Sequence, residues 1–274
     1  MNSNHSSYRA ELEAWRQEIE VPLRRDWLSL VGRYELQPGQ HRLGSDPTAT
    51  ISLPAGSAPD EVGLLTFQDG RVWLRATDGV GLLVNGEPLV GERPLQSDAE
   101  TPGPDLVTLG SLSFFIIKRG ERTIVRIRDA ASPLLSSFGG RRWFPVDETY
   151  RVPAQVIPYD PPKALAITNI LGDTSGQYSP ARVRFHLGGQ EHQLDATGSL
   201  SEGLVVHFRD ATSGSLTAGG GRVLSSAAPR DGTVILDFNR ATNLPCAFTE
   251  FATCPLPLPQ NRFSIAVQAG EMVP

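Results

Sequence analysis

Residues able to do chemistry concentrate in one stretch, Asp237 to Glu271, which reads DFNRATNLPCAFTEFATCPLPLPQNRFSIAVQAGE. It holds both cysteines of the chain, two Asn-Arg pairs, four prolines and a closing Gly-Glu. The run TVILDFNR, which leads into it, alternates. Val234, Leu236 and Phe238 fall on one strand face, and Ile235, Asp237 and Asn239 on the other. A face with Asp and Asn cannot enter an apolar core unless partners satisfy it. Arg222, Arg240 and Arg262 are the candidate partners. Two arrangements fit these residues: a buried Asp-Arg network that pins loops between strands, or a polar pocket that holds a ligand. In the second, the arginines take an anionic group, and Asp237 and Glu271 orient them or accept a ligand hydroxyl or amine. Asn239 and Asn261 complete the expected set. Asp237, Arg240 and Arg262 are expected to form one network that sets the path of the loop from Cys246 to Pro259.

Cys246 and Cys254 have seven residues between them. Zinc takes four ligands, usually with a close Cys-x-x-Cys pair, and no histidine follows His207. No metal and no cofactor is expected. A local disulfide is geometrically possible, but two reduced thiols are the expected state in a reducing compartment. A cysteine nucleophile would need a base and an orienting group. His186, His192 and His207 lie in expected strands, with His186 and His192 flanking a Gly188-Gly189 turn. Gly219-Gly220-Gly221 before Arg222 lacks the strand-turn-helix context of a phosphate loop and reads as a tight turn.

Elements must position these groups. The chain has 274 residues, is 39% hydrophobic and carries 27 Gly and 22 Pro, a composition that suits a loop-rich β protein. In SSYRAELEAWRQEIEVPL, Tyr8, Leu12, Trp15 and Ile19 share one helical face. Ser7 is the expected N-cap and Pro22 the expected end. From Tyr34 to Asp129 short strands follow, with a hairpin expected around Pro38-Gly39 and turns at Asp69-Gly70 and Asn85-Gly86. Short strands resume at Tyr150 and run to FSIAVQA, with no βαβ alternation. The expected organisation is a helical segment over 1–29, a β-sandwich over 30–138 and an antiparallel β-barrel or sandwich over 139–274. The fold class is mainly β.

RLGSDPTATISLP, GLLTFQDGRVWLRA, LLVNGEPL and LVTLGSLSFFII resemble the forkhead-associated domain. That resemblance implies a sandwich and a phosphothreonine site built from Gly-Arg, Ser, His and Asn-Gly. Gly44 and Asn85-Gly86 match, whereas Ser45 stands at the Arg position and Val62-Gly63 where His belongs. An anion site needs donors such as Arg, so this half is expected to be a scaffold or a surface for a protein partner. FRDATSG, GGGR, DFNRA, CAF, TCPLP, NR and AGE, with WRQEIEVPLRRDWLSLVGRYEL and RWFPVDETYRVPA, resemble the bacterial family catalogued as domain of unknown function 1684. Thr242-Asn243-Leu244-Pro245 stands where that family has a Tyr-Asn-Pro-Pro type turn. The resemblance implies no activity.

Net charge is −5, without the basic excess of a nucleic-acid binder. No apolar run approaches the ~20 residues of a membrane span, and the N-terminus has no apolar signal core. The expectation is a cytoplasmic protein that binds a small anionic or polar ligand, with neither nucleic acid nor membrane as partner. A hydrolase using Asp237 as base or Cys246 as nucleophile is the alternative, and a purely structural interaction protein is the third.

Overall fold

The computed structural model describes residues 2–274, with side chains from Ser6 onward. Two compact units divide the chain: residues 22–138, and residues 139–274 together with the N-terminal residues up to Val21. The segment 1–29, expected to stand by itself, is therefore split. Helix α1 (Asn2–Leu23) turns Tyr8 and Leu12 into buried positions. It begins ahead of Ser7, which is an interior helix residue and not a cap. The helix passes Pro22 by one residue, then widens into a single π-helical turn over Arg24–Leu28. Proline lacks an N–H and crowds the preceding turn, so regular i→i−4 bonding ends here.

Residues 22–138 form two sheets. One holds β1 (Leu30–Glu35), β6 (Leu83–Val84), β7 (Glu87–Pro88), β9 (Val107–Leu109), β10 (Leu112–Arg119) and β11 (Arg122–Asp129), in the order β1-β11-β10-β9-β6-β7. The other holds β2 (Gly39–Gly44), β3 (Ile51–Ser52), β4 (Gly63–Gln68), β5 (Arg71–Ala76) and β8 (Glu92–Leu95), in the order β3-β2-β4-β5-β8. Alternation makes the sandwich. In β5, Val72 and Leu74 are buried while Arg71 and Arg75 are not. They join Leu43 and Leu65 of their own sheet and Phe114, Ile116, Val125 and Ile127 of the other in one core. Asp69-Gly70 and Asn85-Gly86 turn hairpins with positive φ at both residues. The hairpin expected at Pro38-Gly39 does not form. β1 pairs with β11 and β2 with β4, so the chain crosses there from one sheet to the other.

Residues 139–274 build one seven-stranded antiparallel sheet. Its strands are β12 (Arg151–Thr168), β13 (Thr174–Leu187), β14 (Gln190–Ser199), β15 (Gly203–Phe208), β16 (Arg222–Ser225), β17 (Thr233–Asp237) and β18 (Thr242–Asn243). They run in the order β17-β12-β13-β14-β15-β16-β18. The two edge strands, β17 and β18, are consecutive in the chain and are joined by residues 238–241 alone. The five steps from Asp237 to Thr242 span at most ~18 Å, so the sheet must coil until its edges approach. No ladder joins β17 to β18 among the described residues, so of the two expected forms, barrel or sandwich, a closed barrel does not form and the sheet is open and coiled. Phe185, Phe208, Phe238 and Phe263 pack inside it with ring centroids 5.4–6.0 Å apart. FSIAVQA is not a strand, although Val267 and Ala269 are fully buried in the core.

Candidate functional site

Arg222 explains that last departure. Its side chain is 0% exposed and sits 5.3 Å above the Phe208 ring. Nη2 donates to Asp210 Oδ2 at 2.6 Å and to the Val267 carbonyl at 2.8 Å. Nη1 donates to the Ala269 carbonyl. A guanidinium thus supplies donors that a neighbouring strand would otherwise supply, and the terminal segment needs no ladder. Gly221 makes the approach possible. Its φ is +89°, and a Cβ there would lie 2.5 Å from the Phe208 carbonyl. Asp210 also accepts from the Thr212 N–H at 2.6 Å. A carboxylate and a guanidinium that are both buried need this degree of saturation.

The two predicted asparagines act as peptide mimics. Asn239 accepts from the Asp147 N–H at 3.1 Å and donates to the Asp147 carbonyl at 2.9 Å. Asn261 does the same to Asp195, at 2.9 and 2.8 Å, and also donates to the His207 carbonyl at 3.0 Å. Each carboxamide pairs with both the N–H and the carbonyl of one backbone residue, in the manner of a strand pair, and Asn261 holds His207 as well.

Asp237 ends β17 and caps the 3₁₀ turn Phe238–Arg240 by accepting from the Asn239 N–H at 3.1 Å. This cap explains why Asp237 is buried while Ile235, of the same strand parity, is 45% exposed. The Tyr8 hydroxyl of α1 donates to both Asp237 oxygens, at 3.0 and 2.8 Å. Burial first, and then the Asp237 carboxylate, hold the Tyr8 phenol well above its usual range. Arg240 Nε lies 3.6 Å from Asp237 Oδ2, and its Nη2 donates to Glu11. Arg262 does not belong to this network. It is exposed and is not among the partners of Asp237. A backbone bridge to Arg209 gives residues 261–263 strand-like alternation: Asn261 and Phe263 point inward and Arg262 outward.

Glu271 sits beside Arg141, at the head of this unit. Residues 141–144 run against residues 270–272 through Phe144 N–H to the Gly270 carbonyl and Met272 N–H to the Arg142 carbonyl, 2.9 and 2.8 Å. Glu271 is 1% exposed. Oε2 accepts from Arg141 Nη1 at 2.5 Å and from the Asn243 N–H at 2.8 Å. Oε1 is buried and has no partner, as is Asn243 Oδ1. Burial pushes the Glu271 carboxyl up to about 7, against the opposing pull of Arg141 and the Asn243 N–H.

These groups meet a cleft of about 420 Å³. Trp15 and Ile19 of α1, Val223 and Ser225 of β16, Thr242 of β18, and the two arginines Arg141 and Arg240 line it. Both guanidiniums are held in place. Arg240 lies over Trp15 at 5.2 Å and is clamped by Glu11 and Asp237. Arg141 lies 5.3 Å from the Phe248 ring and is clamped by Glu271. Of the seven expected site residues, Arg240 lines the cleft and Glu271 supports its other arginine. Arg222, Asp237, Asn239 and Asn261 are engaged by the protein itself. Arg141, Asp210, Asn243, Tyr8 and Trp15 join the site from outside the expected set. Asp210 lies in FRDATSG and Arg141 directly precedes RWFPVDETYRVPA, but nothing in their spacing aligns them with Arg222 and Glu271.

Cys246 is half-buried and its N–H donates to Cys254 Sγ at 3.2 Å. No disulfide joins them. A hydrogen bond from Cys254 lowers the Cys246 thiol to about 7. Among the described residues no group of His, Cys, Asp and Glu is arranged to hold a metal. His186 and His192 do not pair across their turn, since His192 faces Phe185 and His186 faces Glu191.

In the sandwich, the positions expected to bind phosphate are also used internally. Ser45 Oγ donates to the Ala58 carbonyl at 2.5 Å. Asn85 donates to Asp105 at 2.6 Å and accepts from the Leu106 N–H at 2.8 Å.

The molecule is a mainly β protein of two units, the second closed by side-chain latches around a cleft with two arginines. Residues 136–272 match the family described as protein of unknown function (DUF1684), and the chain belongs to it. No curated protein matches the chain. Among solved structures, an uncharacterised protein of Haloarcula marismortui is similar at 33% identity, over 50% of this chain and 78% of that one, with a TM-score of 0.42. The forkhead-associated domain of FhaA, solved in complex with an intracellular domain, is similar at 21% identity over 35% of this chain and 86% of that one, TM-score 0.24. The N-terminal forkhead-associated domain of EssC, a component of the bacterial type VII secretion apparatus, is similar at 19% identity over 36% of this chain and 47% of that one, TM-score 0.28. No helix among the described residues is long and apolar enough to cross a membrane.

Proposed function

We propose that this protein binds a small anionic molecule in the cleft lined by Trp15, Ile19, Thr242, Arg141 and Arg240. The observation that carries the proposal is the pair of clamped guanidiniums on one cleft of about 420 Å³ with an apolar wall. Arginines held by packing and ion pairs lose little side-chain freedom on binding, and small-molecule sites combine apolar lining with a few fixed polar groups. Binding is favoured over hydrolysis because both Asp237 oxygens already accept from Tyr8 and Asn239, which leaves that carboxylate poorly placed to act as a base. The test is thermal unfolding of the full chain with benzoate, phenyl phosphate and the neutral benzyl alcohol. At least one anion should raise Tm in a saturable way and the alcohol should not, and Arg240→Gln should remove the shift. Equal behaviour of the anions and the alcohol, or of wild type and Arg240→Gln, rejects the proposal.

A second role is proposed for the sandwich, as a surface for a protein partner. Arg42 and Arg75 line an open cleft of about 420 Å³ beside Leu43 and Gly63. Its partner is not a phosphothreonine peptide, because Ser45 and Asn85 are spent on the backbone and on Asp105. Fluorescence anisotropy with phosphorylated and unphosphorylated peptide pools should show no phosphate-dependent binding.

A further inference from the structure

On the anion-binding proposal above, we infer that the cleft takes a small organic oxyanion against the guanidinium of Arg141, and that Glu271 takes up one proton from solvent when the anion binds. Three observations converge. Arg141 lines the cleft, and its Nε is buried with no partner. An incoming oxyanion offers acceptors to that guanidinium, whose Nη1 already serves Glu271. Glu271 Oε1 and Asn243 Oδ1 are both buried acceptors without a donor, on residues joined by the 2.8 Å bond from Asn243 N–H to Glu271 Oε2. A protonated Glu271 supplies the donor that this group of acceptors lacks.

The charges around Glu271 support the linkage. Arg141 faces it from residues 139–144, and Arg222 faces it from β16, with Nη1 3.5 Å from the Glu271 carbonyl. Arg222 is already neutralised by Asp210. Asn243 is the neighbour on β18 and carries no charge. Arg141 is therefore the cation that Glu271 chiefly balances. An anion placed on Arg141 takes over that balance and repels the Glu271 carboxylate, so the carboxyl holds its proton more tightly. Its titration near neutrality in the unliganded protein makes the uptake visible at working pH.

Calorimetric titration of the full chain with benzoate, in buffers of different ionisation enthalpy, reads the proton count. Phenyl phosphate in a second arm at about pH 8 separates a carboxylate head from a phosphate head, and saturable binding of either satisfies the oxyanion requirement. Benzoate binding at about pH 8 should take up about one proton, and should be about tenfold weaker than at about pH 5.5, where Glu271 is already neutral. Glu271→Gln keeps the volume and mimics the neutral acid. It should bind benzoate with no proton uptake and with the same affinity at both pH values. Anion binding by wild type without proton uptake overturns the inference and leaves the anion site standing, and so does loss of binding in a folded Glu271→Gln protein. Binding of neither anion, or equal binding of benzyl alcohol, overturns both.

Discussion

Glu271 shows how burial converts one carboxyl into a pH-dependent element of stability. Its proton is held more tightly in the folded protein, up to about 7, than in the unfolded chain. The folded state therefore binds more protons between those values, and stability falls as pH rises through that interval. The contribution is fully present below the ordinary glutamate range, about 4.3, and is lost as pH passes about 7. For a raised carboxyl of this kind the loss is about 3 kcal/mol. Glu271→Gln should flatten this dependence, so that its Tm relative to wild type rises between pH 5 and 8. Parallel melting curves for the two proteins across that range would show that Glu271 does not carry the dependence. Arg222 is the opposite case, a buried ion whose Nη1 and Nη2 donate to Asp210 and to the carbonyls of residues 267 and 269. Asp210→Asn leaves Arg222 charged, buried and without its counter-ion, and should cost about 3–5 kcal/mol, read as a fall in the urea midpoint.

At the scale of elements, three devices replace regular structure in the second half. Asn239 and Asn261 bond backbone groups of other segments, Arg222 serves the carbonyls of residues 267 and 269, and Asp237 caps a 3₁₀ turn. Each lets a proline-rich or turned segment lie against the core without a ladder. The loop between β18 and Asn261 adds the cysteine pair. Cys254 lowers the Cys246 thiol, so alkylation of Cys246 by iodoacetamide should be half-maximal near pH 7, and Cys254→Ala should move that midpoint up towards ~8.5, the ordinary thiol value. An unchanged midpoint would mean that Cys254 does not control this thiol.

At the scale of the molecule, α1 up to Val21 is part of the unit formed by residues 139–274. Tyr8 closes the Asp237 carboxylate, Trp15 carries Arg240, and Arg16 lies 4.4 Å from the Trp143 ring. Deleting residues 2–21 should therefore raise hydrogen exchange in β12 and β17 and around Phe238. Exchange in β4, β5 and β10 should change little. Equal exchange in β12 and β17 with and without the helix would contradict this assignment. A milder test is Tyr8→Phe, which removes a hydroxyl donor to a charged acceptor and should cost about 1.5–3 kcal/mol.

Local patterning was sufficient for much of this. The spacing of Tyr8, Leu12, Trp15 and Ile19 marked the helix. The alternation of TVILDF placed Val234, Leu236 and Phe238 in the core, and Asp69-Gly70 and Asn85-Gly86 marked two hairpins. The motifs around Arg222, Asp237, Asn261 and Glu271 identified the family. These signals are local, because side-chain period and turn chemistry are set by neighbours in the chain. Partnership is not local. Tyr8 and Asp237 lie far apart in sequence, as do Arg141 and Glu271, and no period relates them. Tertiary structure alone decided that Arg262 points outward, that FSIAVQA is held by a guanidinium and not by a strand, and that the sheet stays open at β17 and β18. It also decided that Arg141, absent from the expected set, stands with Arg240 on the cleft. A buried charge is stabilised by whatever the fold brings within hydrogen-bond reach, and that depends on how the sheet coils and where the helix lands.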